Sequence, residues 1–276
     1  MTFCLFFSSL KKTGNILFTS EILMTELTKQ FEDVLLTIDE GVAHIVINRP
    51  KVLNAIRIQT YQDIIAALKE ADESEHCNVL VISGAEGKFT AGNDLADLVG
   101  GKADQVMAGV QGVFDTLSQL NKPLIAAVES VAVGIGTTML LHCDMVVAAE
   151  GTKFKMPFAN LGVSPEGASS ALLASAIGPK AANDLLLTGR FFSAEEALNW
   201  GLINQVAEKG EALNLALGVA KQLLKQPLAS LIATKSALRK HLPYDVSKVV
   251  AEELKTFVDL LASDETQARI NFMLKR

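Results

Sequence analysis

Three short apolar runs constrain the fold of this chain more than any other feature: Val79-Leu80-Val81-Ile82-Ser83, Leu124-Ile125-Ala126-Ala127-Val128 and Met145-Val146-Val147-Ala148-Ala149. Each is short and has no polar face, and the first is rich in β-branched residues, so each predicts a buried strand rather than a helix. Each follows a segment of helical character, so strand and helix alternate. Ahead of them, Val34 to Ile38, then Asp39-Glu40-Gly41, then Val42 to Ile47 reads as a hairpin ended by Asn48-Arg49-Pro50. Residues 57–72 place Ile58, Tyr61, Ile64, Ile65 and Leu68 on one helical face. From about residue 164 the pattern turns helical, with one short strand expected at Leu202 to Val206. Residues 209–276 read as three helices, broken at Gln226-Pro227 and Leu242-Pro243. The expected organisation is an α/β core over 25–207 and a C-terminal helical region over 208–276. Residues 1–24 are expected to be a disordered extension, because their apolar start lacks both the basic residues and the cleavage site of a signal peptide.

Composition narrows the function classes. The 276 residues are 49% hydrophobic and 20% charged, an ordinary globular balance. A net charge of −6 argues against nucleic acid or an anionic membrane as the main partner. No stretch supplies the ~18 apolar residues of a membrane helix. The three cysteines, Cys4, Cys77 and Cys143, form no CxxC pair and read as free thiols of a reducing compartment, so a cytoplasmic location is expected. His44, His76, His142 and His241 are scattered, so no metal site is expected.

Two nucleotide-binding lookalikes fail. Gly134-x-Gly136 lacks the third glycine of a dinucleotide fingerprint, and Ala168 stands where a phosphate-binding loop needs its lysine. No G-x-S-x-G elbow supports a serine nucleophile either.

What remains is two glycine-bearing turns and one glutamate. Phe89-Thr90-Ala91-Gly92-Asn93-Asp94-Leu95 runs from a strand into a short helix, and Val133-Gly134-Ile135-Gly136 opens another. Helix starts carry unpaired N–H groups, and glycine allows a ligand close to the backbone, so both turns can hold an oxyanion. Each alone reads equally as an ordinary strand-to-helix turn. Glu166, in Ser164-Pro165-Glu166-Gly167, also has a plain reading: Ser164 caps a helix, Pro165 takes its first position, and an acidic residue follows.

Together these segments resemble the crotonase, or enoyl-CoA hydratase/isomerase, superfamily. The resemblance runs from about residue 31 to the C-terminus. It is carried by Ile47-Asn48-Arg49-Pro50 with Asn54-Ala55, Phe89 to Leu95, Asn121-Lys122-Pro123 and Val133-Gly134. Cys143-Asp144, Leu187-Thr188-Gly189-Arg190, Ser193-Ala194 with Ala197, and Gly201-Leu202 complete it. It implies a ClpP-like spiral of ββα units, a C-terminal helical region that assembles a homotrimer or a dimer of trimers, and an acyl-CoA thioester as substrate. No separate cofactor is implied, since coenzyme A is part of the substrate.

Hydratases of the superfamily hold water between two glutamates. By the resemblance those positions fall on Thr138 and Phe158, neither of them acidic. The segment Met156-Pro157-Phe158-Ala159-Asn160-Leu161-Gly162, with Pro165-Glu166-Gly167, instead resembles the peroxisomal-type Δ3,Δ2-enoyl-CoA isomerases, as does Gly92-Asn93-Asp94. The resemblance makes Glu166 the single acid/base and the backbone N–H groups of Asn93 and Ile135 the oxyanion donors. It places Ala91, Gly92, Asn93, Asp94, Leu95, Ile135 and Phe158 against the substrate. Lys51 and Arg57 are available to the CoA phosphates without being assigned to them. One carboxylate suffices to move a proton from C2 to C4 across a dienolate, provided burial raises its basicity above the ~4.3 of a free glutamate. The rival expectations are an enoyl-CoA hydratase or another crotonase-fold reaction, and a non-catalytic acyl-CoA-binding or protein-binding member of the fold.

Overall fold

A computed structural model describes residues 27–99 and 101–275. The extension expected over residues 1–24 lies outside the described residues. The three apolar runs form the middle of a seven-stranded sheet, within the strands Cys77–Gly84, Leu124–Val128 and Met145–Ala149. The sheet runs in the order Leu27–Gln30, Val34–Asp39, Gly41–Ile47, Cys77–Gly84, Leu124–Val128, Met145–Ala149 and Gln205–Ala207. Its first two pairings are antiparallel and the rest parallel. The expected hairpin is present, Val34 pairing with Ile47 and Asp39 with Val42.

The central strands are apolar on both sides because both faces of the sheet are covered. Leu80 and Ile82 point into the main core with the helices Ile58–Glu73 and Ala103–Gln119. Val79 and Val81 join Ile125, Ala127, Val147 and Ala149 under the helix Ala212–Leu223, which contributes Ala216, Val219 and Ala220. The hairpin strand Val34–Asp39 alternates buried and half-buried residues instead, as a strand covered on one face does.

A second sheet joins Val131–Val133, Lys153–Lys155 and Phe191–Ser193. It sits where the chain leaves the main strands, and it carries the second glycine turn at its edge.

Three expectations are corrected. The strand foreseen at Leu202 to Val206 is Gln205–Ala207, because Asn204 turns its side chain to cap the Val146 N–H at 2.7 Å and pairing starts after it. The C-terminal region contains four helices: Ala212–Leu223, Leu228–Lys240, Val246–Leu261 and Asp264–Leu274. The unforeseen break has no proline. Ser263 stops one helix and caps the next, its hydroxyl accepting from Thr266 N. Finally, the helix after Glu166 begins at Ser169, so Glu166 lies in an irregular segment rather than in a first helical turn.

Candidate active site

The first glycine turn is held by the backbone on either side of it. Ala91 N donates to Leu53 O, Asp94 N to Ile56 O, and Gly92 O accepts from Ile56 N. Buried Asn54 bridges from the other side, its Nδ2 donating to Ala85 O and Lys88 O and its own carbonyl accepting from Thr90 Oγ1. Thr90 Oγ1 in turn accepts from Gly92 N. Asn54, and Arg49 through Ala55 O and Asp94, are therefore braces for this turn. Among its residues from 89 to 94, every backbone N–H but one has a partner, and the exception is Asn93.

The second turn lies directly against the first. Thr90 N donates to Val131 O and Val133 N to Thr90 O, making a short bridge between the two segments. Gly92 shows why glycine is needed: its φ is +87°, and a Cβ there would lie 2.5 Å from Val133 O. At Gly134 the backbone takes φ +56° and ψ −123°, and the chain enters the helix Ile135–Thr138. Gly134 N donates to Lys155 O, and Thr137 N and Thr138 N donate to Gly134 O. Ile135 N and Gly136 N are the free donors of this first turn. Two unpaired amides, Asn93 and Ile135, thus sit on two turns packed backbone to backbone.

A cavity of about 280 Å³ opens beside them, lined by Ala91, Gly92, Asn93, Leu95, Phe158 and Leu161 among others. Of the residues expected at the substrate, Asp94, Ile135 and Glu166 are absent from this lining. Asp94 turns away to Arg49, 3.2 Å from Nη1, and the Ile135 side chain is wholly buried in the core. The Ile135 contribution is therefore confined to its backbone, next to Gly134, which does line the cavity. Arg57 is occupied by Asp33 and Glu32. The lining also contains Phe257 and Met273 from the last two helices, which no sequence pattern had marked.

Glu166 is 1% exposed. Its Oε1 accepts from Thr138 Oγ1 at 2.6 Å, on the helix that the second glycine turn begins. Its Oε2 is buried with no partner. Burial, reinforced by the negative charge of Glu253 and partly offset by the Thr138 hydroxyl, pushes the carboxyl up to about 8. This carboxyl can both take and return a proton near neutral pH.

The segment around Glu166 is held by side chains from distant elements. His142 lies behind it, and since a carbonyl only accepts, Nε2 carries the proton it donates to Gly167 O at 2.7 Å. Burial lowers the His142 pKa to about 4 and keeps the ring neutral. Glu253, on the helix Val246–Leu261, accepts from Ala168 N at 2.6 Å and Ser170 N at 2.9 Å. It caps the helix Ser169–Ile177, the role that sequence reasoning gave to Ser164. Ser164 instead donates to Glu253 O, and Ala168, at φ +56°, bends the chain into the helix. A cap supplied from 85 residues away leaves no local signal. Tyr61 completes the group: fully buried, it donates its hydroxyl to Asn93 Oδ1.

The fold and this pair of turns define a crotonase-fold protein. The chain belongs to the enoyl-CoA hydratase/isomerase family, whose profile matches residues 37–276. It is similar to a "Probable enoyl-CoA hydratase" of Rhizobium meliloti, 32% identical over 248 residues that cover 89% of this chain and 96% of that one. It is also similar to human enoyl-CoA delta isomerase 2, 32% identical over 254 residues, covering 89% of this chain and 64% of the human protein. Among solved structures, the enoyl-CoA hydratase/isomerase of Pseudoalteromonas atlantica superposes with a TM-score of 0.82 at 32% identity, covering 89% of this chain and 98% of that one.

Among the described residues no group of three or more His, Cys, Asp or Glu side chains could hold a metal ion. Among them also, no helix is long and apolar enough to cross a membrane.

Proposed function

We propose that this enzyme is a Δ3,Δ2-enoyl-CoA isomerase using Glu166 as its only acid/base. The observation that carries the reading is the pairing of Glu166 with Thr138. By family resemblance, Thr138 and Phe158 occupy the positions where a hydratase keeps its two glutamates. Here the first is a hydroxyl bonded to Glu166 and the second an apolar ring on the cavity wall. Hydration needs a water held between two acidic groups, and one carboxyl remains at these three positions.

The chemistry closes on that carboxyl. Thr138 fixes Oε1, which leaves Oε2 to move the proton. Oε2 takes a proton from C2, and the C–H electrons move through the thioester to its oxygen, giving a dienolate. The N–H groups of Asn93 and Ile135 hold that oxygen, each stabilising by roughly 3 kcal/mol if it acts as a typical oxyanion donor. The same oxygen of Glu166 then returns the proton to C4, and the double bond comes to rest between C2 and C3. A water-excluded carboxyl suits this shuttle, since no solvent competes for the proton between the two steps.

Assembly as a homotrimer or a dimer of trimers through the C-terminal helices rests on the family resemblance, and Leu238, exposed on the helix Leu228–Lys240, is an apolar side chain available to such a contact. The decisive measurement sets purified protein against 3-enoyl-CoA and trans-2-enoyl-CoA side by side. Fast appearance of the conjugated thioester from the first, and slow loss of it from the second, is the expected result. The reverse pattern would make the protein a hydratase, the activity in the name of its Rhizobium meliloti relative.

A further inference from the structure

We propose that Tyr61 is a positioning residue of this reaction, fixing Asn93, and with it the unpaired Asn93 N–H, in register with Glu166. The inference rests on the reading of that N–H as an oxyanion donor. Tyr61 lies on the buried face of the helix Ile58–Glu73 with no exposed surface. A phenol buried in an apolar core must find a hydrogen-bond partner, and this one has only the side-chain oxygen of Asn93.

The seat for the ring is built for it. Gly109, in the middle of the helix Ala103–Gln119, has no side chain, and a Cβ there would lie 2.8 Å from the Tyr61 ring. Glycine inside a helix is destabilising relative to alanine, so a packing reason is expected for it. Here the reason is the ring. Helix Ala103–Gln119 presses Tyr61 toward the turn, and the hydroxyl meets Asn93.

The consequence is a third anchor on the donor. Asn93 is flanked in the chain by two backbone bonds to Ile56, one from Ile56 N to Gly92 O and one from Asp94 N to Ile56 O. Those fix the peptides on either side. The Tyr61 hydroxyl fixes the side chain, which otherwise borders an open cavity and is free to swing. Burial and the nearby charge of Glu166 raise the Tyr61 pKa well above its usual value, so the hydroxyl stays a donor throughout the working pH range.

The test is Tyr61→Phe, which deletes one oxygen and keeps the ring. Isomerase kcat should fall about 10–100-fold with KM for 3-enoyl-CoA within about twofold, less than the ~10²–10³-fold of losing a whole oxyanion donor. Acetoacetyl-CoA, which ionises to an enolate with its own ultraviolet absorbance, separates positioning from packing. Tyr61→Phe should weaken binding of that enolate by the same factor while leaving the affinity for a saturated acyl-CoA unchanged. Gly109→Ala, which displaces the ring, should act in the same direction. Unchanged kcat in Tyr61→Phe, or equal weakening of both ligands, would reduce Tyr61 to a packing side chain and overturn the proposal. The ratio of the two affinities decides the matter even if the variant is less stable. A wild-type enzyme that neither isomerises nor favours the enolate would instead remove the isomerase reading beneath it.

Discussion

The proposed donor side and the proposed base side of this site are held in different ways. The turns at 89–95 and 133–138 are fixed mainly by backbone hydrogen bonds to neighbouring segments of the α/β core, with side-chain bonds from Asn54, Thr90 and Tyr61 added to them. Their glycines sit at positive φ or at contacts a Cβ would not survive. The segment carrying Glu166 has few such bonds. Thr138 holds its carboxyl, His142 holds the carbonyl of Gly167, and Glu253 holds the amides of Ala168 and Ser170. An oxyanion donor must stay put while charge develops on the substrate, and rigid backbone does this without reorganisation. A proton shuttle must instead have a tuned pKa, which depends on what surrounds it in three dimensions.

Removing the base should have the largest effect. Glu166→Gln keeps the shape of the side chain and should cut isomerase turnover by ~10²–10⁴-fold with acyl-CoA binding nearly intact. Retention of most activity would show that the proton travels elsewhere, and only the donor side of the comparison would stand.

Gly92→Ala attacks the donor side. With φ at +87° and Val133 O 2.5 Å from the new Cβ, the two turns must separate. Turnover should fall by about 10²-fold, the order of one lost oxyanion donor. Thermal unfolding should show destabilisation by about 1–3 kcal/mol, the range of left-handed strain. If turnover survives while stability falls, the turns matter for the fold alone.

On the base side, Glu253→Gln leaves an amide that can accept one of the two backbone N–H bonds but not both. A stability loss of about 1–3 kcal/mol is expected from one unsatisfied buried amide. Turnover should drop roughly tenfold as the Glu166 segment loosens, about 1.4 kcal/mol on the barrier. An unaltered kcat would mean that Thr138 and His142 suffice to hold the base.

The pH dependence changes turnover least per step and tests the seal around Glu166. In the folded protein Glu166 titrates at about 8, against 4.5 for the ordinary side chain, so over that interval the folded state keeps a proton the unfolded state has lost. Its contribution is complete below about pH 4.5 and is lost as pH rises through about 8. Burial raises Glu253 as well, so it acts with the same sign. Denaturant midpoints followed across this range should decline, and the decline should be shallower in Glu166→Gln. Activity should run the opposite way, rising as Glu166 ionises. Identical pH profiles for the two proteins would place Glu166 in contact with water.

The two sides also differ in how far the sequence exposed them. Gly92 and Gly134 mark their turns because positive φ leaves few other residues possible, and each turn follows a strand recognisable from its apolar run. Tyr61 was visible only as one apolar position on a helix, since nothing in the spacing of residues 57–72 says that its hydroxyl meets Asn93. Ser164-Pro165 predicts a helix start that includes Glu166, whereas the helix begins four residues later, at Ser169, under a cap from Glu253. The break at Ser263 went unseen because serine interrupts a helix only when its hydroxyl is turned to the next one.

Local pattern by itself determined the hairpin, the buried central strands, the core-facing helix with Tyr61 and the two glycine turns. Each follows from one residue type repeated at one period, or from one φ that only glycine adopts easily. Tertiary structure alone decided that Glu166 is sealed from water, that Thr138 binds one of its oxygens, and that residues as distant as Phe257 and Met273 wall the cavity. The reason is that a pKa and a cavity are properties of surroundings. The groups that shift the Glu166 carboxyl come from two segments, 28 residues before it and 87 after it in the chain, and meet only when the helices close over the sheet.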